Sequence, residues 1–253
     1  MVLLGILPPD GLPGLPKERD KVLKELSKLA RQADPDRYPD VAGALRSILA
    51  NLDDNPREVV VNTGGRQDVV LFGKYELQFL TNLLVLGRRS LMEQFPDWIV
   101  EMQGGDFTNA AAASQFLRHW QTSAMSMAVT CTTGSNPKRV RKAAKQARRS
   151  ITGAQPAVAD ACEPWAIGPL DGHPLTLTKT NVPALIISGT LDGTTPDGNA
   201  KALRRKLPKS HLLKLIGATH SDLLASIVLD AIDDYLGGAS VPGSIPFDWS
   251  FAQ

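Results

Sequence analysis

The chain of 253 residues is 43% hydrophobic and 21% charged, within the ordinary range for a globular protein and long enough to bury a sizeable core, either as one large domain or as a core with a cap. Its 28 basic side chains are nearly balanced by 26 acidic ones, so a net charge of +2 offers no global argument for nucleic-acid binding. No stretch approaches the roughly 20 apolar residues of a membrane span.

Met1 to Leu7 is apolar but lacks the basic region that opens a signal peptide, and Pro8-Pro9-Asp10 cuts it short. Residues 2–7 are predicted to form a short buried strand leading into a loop. From Lys17 to Ala33, Val22, Leu26, Leu29 and Ala33 recur at helical spacing, and Asp34-Pro35 ends the run. Asp40 can cap a second helix carrying Val41, Leu45, Ile48, Leu49 and Leu52. Residues 58–62 and 69–72, joined through Gly64-Gly65, predict a β-hairpin.

From Lys74 to Gln103 the period is helical and the apolar residues, among them Leu77, Phe79, Leu80, Leu83, Leu84 and Leu86, are dense enough for burial on more than one side. Gly104-Gly105-Asp106 breaks this block before a helix from about Thr108 to Leu117. Ser123 to Cys131 reads as an extended segment. Within it Ala124-Met-Ser126-Met-Ala128 has a small-X-Ser-X-small shape, which makes Ser126 the one internal nucleophile candidate. Alanine would crowd the strained turn that glycine relieves there. Lys138 to Arg149 holds seven basic residues and no acid. With no aromatic or glycine-rich phosphate-binding element beside it, it reads as a solvated helix face. Only two cysteines, Cys131 and Cys162, occur, too few to staple a fold; two buried free thiols and one bridge both remain open at this point.

Residues 152–182 read as mostly irregular. Ala184 to Ile187 is an apolar run too short for a helix, stopped by Ser188-Gly189, and reads as a buried parallel strand opening into a polar turn that carries Asp192. Asp197 caps a predicted helix from Ala200 to Leu207. A second short run, residues 212–216, ends in Gly217-Ala-Thr-His220, 28 residues beyond Asp192. A helix from Ser221 to Leu236 follows, with Leu223, Leu224, Ile227, Val228, Ile232 and Leu236 on its inner side, and then an extended tail. Strand, helix, strand and Gly-X-X-His place an aspartate and a histidine on neighbouring loops beyond the carboxyl ends of two strands, where open α/β sheets carry their functional groups. The plainer reading is that Asp192 only organises its turn. His119, His173 and His211 lack partners at useful spacing. No metal-ligand cluster, phosphate loop or dinucleotide fingerprint appears, so no cofactor is expected.

Asp192 in Ser-Gly-Thr-Leu-Asp-Gly-Thr-Thr-Pro and His220 in Ile-Gly-Ala-Thr-His resemble the last two members of the triad of an α/β-hydrolase, in the branch of tripeptidyl and prolyl aminopeptidases and its TAP-like C-terminal region. The resemblance implies a partial α/β-hydrolase fold: a strand and loop of the core over residues 1–16, a mainly helical cap over 17–170, and the C-terminal core with acid and histidine over 171–253. Caps shape the substrate pocket, which makes Tyr75, Phe79, Phe95, Trp98 and Phe107 candidates for its lining; core filling is the plainer role for each. The family's Cys-X-X-Trp is similar to Cys162-Glu-Pro-Trp165, and its cysteine pairs with one at the place of Cys131. A Cys131–Cys162 disulfide is therefore implied, and with it an oxidising, extracellular or periplasmic setting for the parent protein. In the family the first cysteine precedes an acid; Thr132 and Thr133 stand here instead.

The family's serine sits in a Gly-X-Ser-X-Gly elbow, and no such pentapeptide occurs in this sequence. The resemblance aligns residues 2–7 with the strand after that elbow, so the chain is expected to begin downstream of its nucleophile and to be inactive alone. The implied reaction is hydrolysis of a peptide or an ester through an acyl-enzyme. The alternative is a non-catalytic interaction or assembly module that keeps the late half of the fold. With few strands and one bare sheet edge, self-association through that edge is expected. Nucleic-acid and membrane partners are not.

Overall fold

A computed structural model describes residues 1–9, 13–83, 85–120, 124–154, 162–171 and 177–251. Leu84 and His173 lie outside them. The strands Val2–Leu4 (β1), Ala184–Gly189 (β4), Ser210–Ile216 (β5) and Ser244–Pro246 (β6) form one parallel sheet in the order β1-β4-β5-β6. Parallel strands need both faces covered, and β4 is buried along its whole length. On one face Leu185, Ile187, Leu213 and Leu215 pack with Val228 and Ala231 of the helix Ser226–Leu236 (α9). On the other, Ala184, Ile186 and Leu212 pack with Ala200 and Leu203 of the helix Asp197–Arg204 (α8). The mostly parallel sheet with helices on its faces is the α/β architecture expected from the sequence.

Between β1 and β4 the chain builds a helical block with its own core. The helices Pro16–Ala33 (α1), Val41–Asp54 (α2), Lys74–Leu83 (α3), Arg89–Gln103 (α4) and Thr108–Trp120 (α5) surround Leu23, Leu26, Leu45, Leu77, Leu80 and Phe95, all essentially inaccessible. The hairpin Arg57–Thr63 (β2) and Arg66–Phe72 (β3) turns through Gly64 and Gly65, both at positive φ, as a two-residue turn of this kind requires. Pro16 occupies the first position of α1, where its missing N–H costs nothing. The Asp40 carboxylate accepts the Gly43 N–H at 2.9 Å, the expected cap of α2. Helix α7 (Pro137–Ala147), capped by Asn136, buries Ala143 and packs along α1 with Lys138, Arg141, Lys142 and Lys145 outward, while half-buried Arg139 donates to the Pro13 carbonyl at 2.8 Å.

Four expectations need correction. Residues 124–133 form a helix, Ala124–Thr133 (α6), and not an extended segment: its alanines and methionines favour a helix, and the hydroxyls of Thr132 and Thr133 bond back to carbonyls one turn earlier. β1 ends at Leu4 because Gly5 adopts φ +55° and turns the chain. Asp197 lies inside α8, paired with Lys201, whereas the N-cap is Pro196. The final helix is two pieces, a 3-10 turn His220–Leu224 and α9, separated by extended Ala225. That break resets the helical phase, so Leu224, Ile227 and Leu236 face solvent at 69, 50 and 65% exposure. The tail, expected only to be extended, contributes β6 as a fourth strand.

Two crossings hold the acid strand to the histidine loop. A Cβ on Gly189 would stand 2.4 Å from the Ala218 carbonyl oxygen, and the Leu191 N–H donates to that same oxygen at 2.9 Å. Backbone cannot yield there. Gly189→Ala is expected to destabilise the fold by about 1–3 kcal/mol, read as a lowered urea midpoint with unchanged slope; an unchanged midpoint would show that the two loops do not meet.

Candidate active site

The Asp192 side chain has no accessible surface, so its charge has to be held by donors rather than by water. Its Oδ1 accepts the Thr195 backbone N–H at 2.7 Å; its Oδ2 accepts the Thr195 hydroxyl at 2.6 Å and lies 2.9 Å from His220 Nδ1. The loop geometry that makes this possible is backbone-built. Thr190 N–H donates to Leu215 O at 3.0 Å, and Gly217 N–H donates to the Thr190 hydroxyl at 2.8 Å. Gly217 stands at φ +79°, letting β5 turn into the histidine loop. There a capping box, Thr219 with Asp222, starts the 3-10 turn whose first residue is His220.

With Nδ1–H donating to the Asp192 carboxylate, the neutral ring presents Nε2 as an acceptor, and Nε2 has no hydrogen-bond partner among the described residues. The His220 side chain is 40% exposed against none for Asp192. The hydrogen bond to Asp192 pushes the His220 pKa up, burial pulls it back in part, and the carboxylate charge adds to the rise. The pair therefore has an inner, permanently partnered end and an outer end able to take a proton.

Residues remote in sequence frame the pair. Gly5, just past β1, carries no side chain where a Cβ would lie 3.1 Å from His220 Cε1, 3.3 Å from the Thr195 hydroxyl and 2.6 Å from Leu223. Buried Arg19 of α1 donates from Nε to the Gly193 carbonyl at 3.2 Å; burial and the nearby Arg139 lower its pKa to about 10, while Asp192 opposes that fall. Gly193 N–H in turn donates to Leu86 O at 2.7 Å. On the histidine side, Arg89 donates to the Asp222 carboxylate at 2.9 Å, to Gly217 O at 3.0 Å and to Asp248 O at 2.9 Å, with Trp249 stacked 4.5 Å from its guanidinium carbon. Gly5 had a sequence signal, an isolated glycine inside an apolar run, and Thr195 stood inside the motif quoted above. Arg19 and Arg89 had none.

No hydrogen bond among the described residues joins the remaining sequence-predicted residues to this pair. Phe95 and Trp98 are buried in the helical block, their rings 6.4 Å apart edge to face. Phe107 packs on Phe72, and exposed Tyr75 stacks on Phe79 at 5.8 Å. Cys131 and Cys162 form a disulfide, with Cα atoms 5.5 Å apart. Ser126 lies within α6, not on a turn between a strand and a helix. His119 lies on α5, and His211 Nε2 is 3.0 Å from Pro242 O. Among the described residues no three His, Cys, Asp or Glu side chains gather as a metal site.

A parallel sheet with an acid and a histidine on adjacent loops past its carboxyl edge is an arrangement that α/β-hydrolases share. Residues 149–245 match the family model described as TAP-like protein, an α/β-hydrolase family, and that span contains both Asp192 and His220. No curated protein matches the chain.

The raised pKa sets a sign. A folded-state pKa above the ordinary 6.5 contributes stability fully present below that value and lost as pH rises through the folded pKa. Asp192→Asn is expected to lower the His220 pKa, read from its ring proton shifts by NMR, and to destabilise the chain more at about pH 5.5 than at about pH 9. An equal loss at both would show that Asp192 does not hold the charge on His220.

Proposed function

We propose that Asp192 and His220 are the acid and the general base of a serine hydrolase acting on a peptide or an ester, with the serine supplied by residues outside this chain. The observation that carries this reading is the 2.9 Å Nδ1–Oδ2 bond combined with an unengaged Nε2 at the sheet's carboxyl edge. In the reaction Nε2 takes the serine proton as the hydroxyl oxygen attacks the carbonyl carbon. The imidazolium so formed is stabilised by ionised Asp192, and the proton passes to the leaving amine or alcohol as the acyl-enzyme forms. Water then attacks the acyl-enzyme with His220 again as base. The helical block between β1 and β4 takes the place of a cap, and Tyr75, Phe79 and Phe107, which retain accessible surface, are the aromatic rings available to line a pocket.

A fluorophosphonate probe is expected to leave the purified chain unlabelled; labelling at Ser126 would overturn the assignment of the nucleophile. Expressed together with its upstream in-frame coding sequence, the protein is expected to be labelled at a serine in a Gly-X-Ser-X-Gly segment. His220→Ala should then reduce turnover by about 10³-fold or more. An upstream frame without that segment would favour a non-catalytic module.

The β1 edge away from β4 has no partner strand among the described residues, and Met1 beside it is half exposed. Self-association of the isolated chain through this edge is the expected consequence. A single monomeric species in sedimentation velocity across a wide concentration range would remove it.

A further inference from the structure

On the sheet face opposite α9, along the last turn of α8, lies an open surface depression of about 390 Å³ lined by exposed Lys201, Arg204 and Arg205 and by Leu212 and Lys214. Four of its five lining residues are cations and none is an acid. The positions on α8 have an ordinary reading, since basic side chains in a helix's last turn complement its dipole. Lys214 has no such reading. Along β5 it follows Leu212 on the same face, in the place where alternation calls for another apolar residue, and it is half-buried there.

The side chains of Lys214, Arg204 and Arg205 make no hydrogen bond or ion pair with any described residue, while that of Lys201 pairs with Asp197. The other nearby acids are engaged elsewhere: Glu18 with Lys21 and Glu25 with Lys28. From Gly198 to Ser221 the sequence contains no acidic residue at all. Three cations gathered in one depression, none with a protein counter-charge of its own beside the paired Lys201, favour an anion there.

We infer that this cavity binds a small phosphate-bearing ligand. Two guanidinium groups can each hold phosphate oxygens in a bidentate fork, Lys214 supplies a point charge from the sheet, and Leu212 forms an apolar floor. A second cavity of about 480 Å³ shares Lys201 and Arg205 and reaches Thr190 beside the Asp192 turn, but Glu18, Glu25 and Asp197 also line it, so it can take an uncharged or cationic part of the ligand and not a second anionic group. The site is separate from the Asp192–His220 pair and does not depend on its assignment.

The test is calorimetric titration of the whole chain with pyrophosphate and, separately, inorganic phosphate, using Lys214→Met and the double variant Arg204→Gln/Arg205→Gln. Lys142→Met on α7 serves as a basic-surface control, and thermal melts of each variant establish folding. The expected result is one saturable pyrophosphate site per chain, tighter than for phosphate, weakened at least tenfold by either cavity variant, unchanged in the control, and accompanied by a rise in Tm of the wild-type chain. No saturable binding, several equivalent weak sites, or equal loss in the control would overturn the inference.

Discussion

A carboxylate taken fully out of water is the constraint around which this molecule is arranged. Uncompensated, such a charge costs several kcal/mol even after relaxation; three hydrogen bonds to charged or polar donors, each contributing roughly 1.5–3 kcal/mol, offset that. Two donors come from Thr195, three residues along the same turn, and the third from His220 on the next loop. The local donors make the turn self-supporting. The distant one makes the histidine's place a condition of the acid's burial, so folding and site assembly are the same event.

The turn is also clamped from outside the sheet. Gly193 receives Arg19 at its carbonyl and gives its N–H to Leu86, so a single glycine joins α1, the turn after α3 and the acid loop. A side chain at Gly193 would meet Leu86 Cβ at 2.5 Å, which explains why the position carries none. Arg89 performs the corresponding task for the histidine loop and draws in the C-terminal tail through Asp248 and Trp249. Trp249 Nε1 and Arg89 share the Gly217 carbonyl as acceptor. Both triad candidates are thus set by the sheet and fastened by the helical block, so movement of that block against the sheet would be felt at the pair.

How much of this was legible depended on whether a feature's cause was local. The hairpin, the β4 run, the Asp192 turn and the Gly-X-X-His loop each carry their signal within about ten residues, and each lies where the sequence placed it. Residues 124–133 misled because apolar side chains also occupy the helix's outer positions, Met125 at 76% and Val129 at 60% exposure, so no helical period shows in the sequence. Leu224, Ile227 and Leu236 misled because a single extended residue, Ala225, shifted the phase of a stripe read as continuous. β6 has only three residues and earns its strand character from Leu215 and Ile216 next to it. Arg19 and Arg89 are ordinary helix-surface arginines in sequence; only the return of β4 and β5 beside them turns them into clamps.

That return spans a long excursion: β1 pairs with β4 at Val2–Leu185, so some 180 residues intervene between neighbouring strands. Closing so long a loop is less costly than it looks, since closure entropy grows only logarithmically and each doubling adds about 0.6 kcal/mol. What the excursion must supply is its own core, because the sheet's two clusters contain none of its buried side chains. It does so: Leu23, Leu45, Leu77, Leu80, Phe95 and their neighbours form one cluster, and Leu191 of the acid turn is the residue from the sheet's carboxyl edge buried within it. Leu191 immediately precedes Asp192. The apolar anchor of the acid loop therefore lies in the helical block while its charged side chain lies over the sheet, and the position of the carboxylate is decided at the seam between the two.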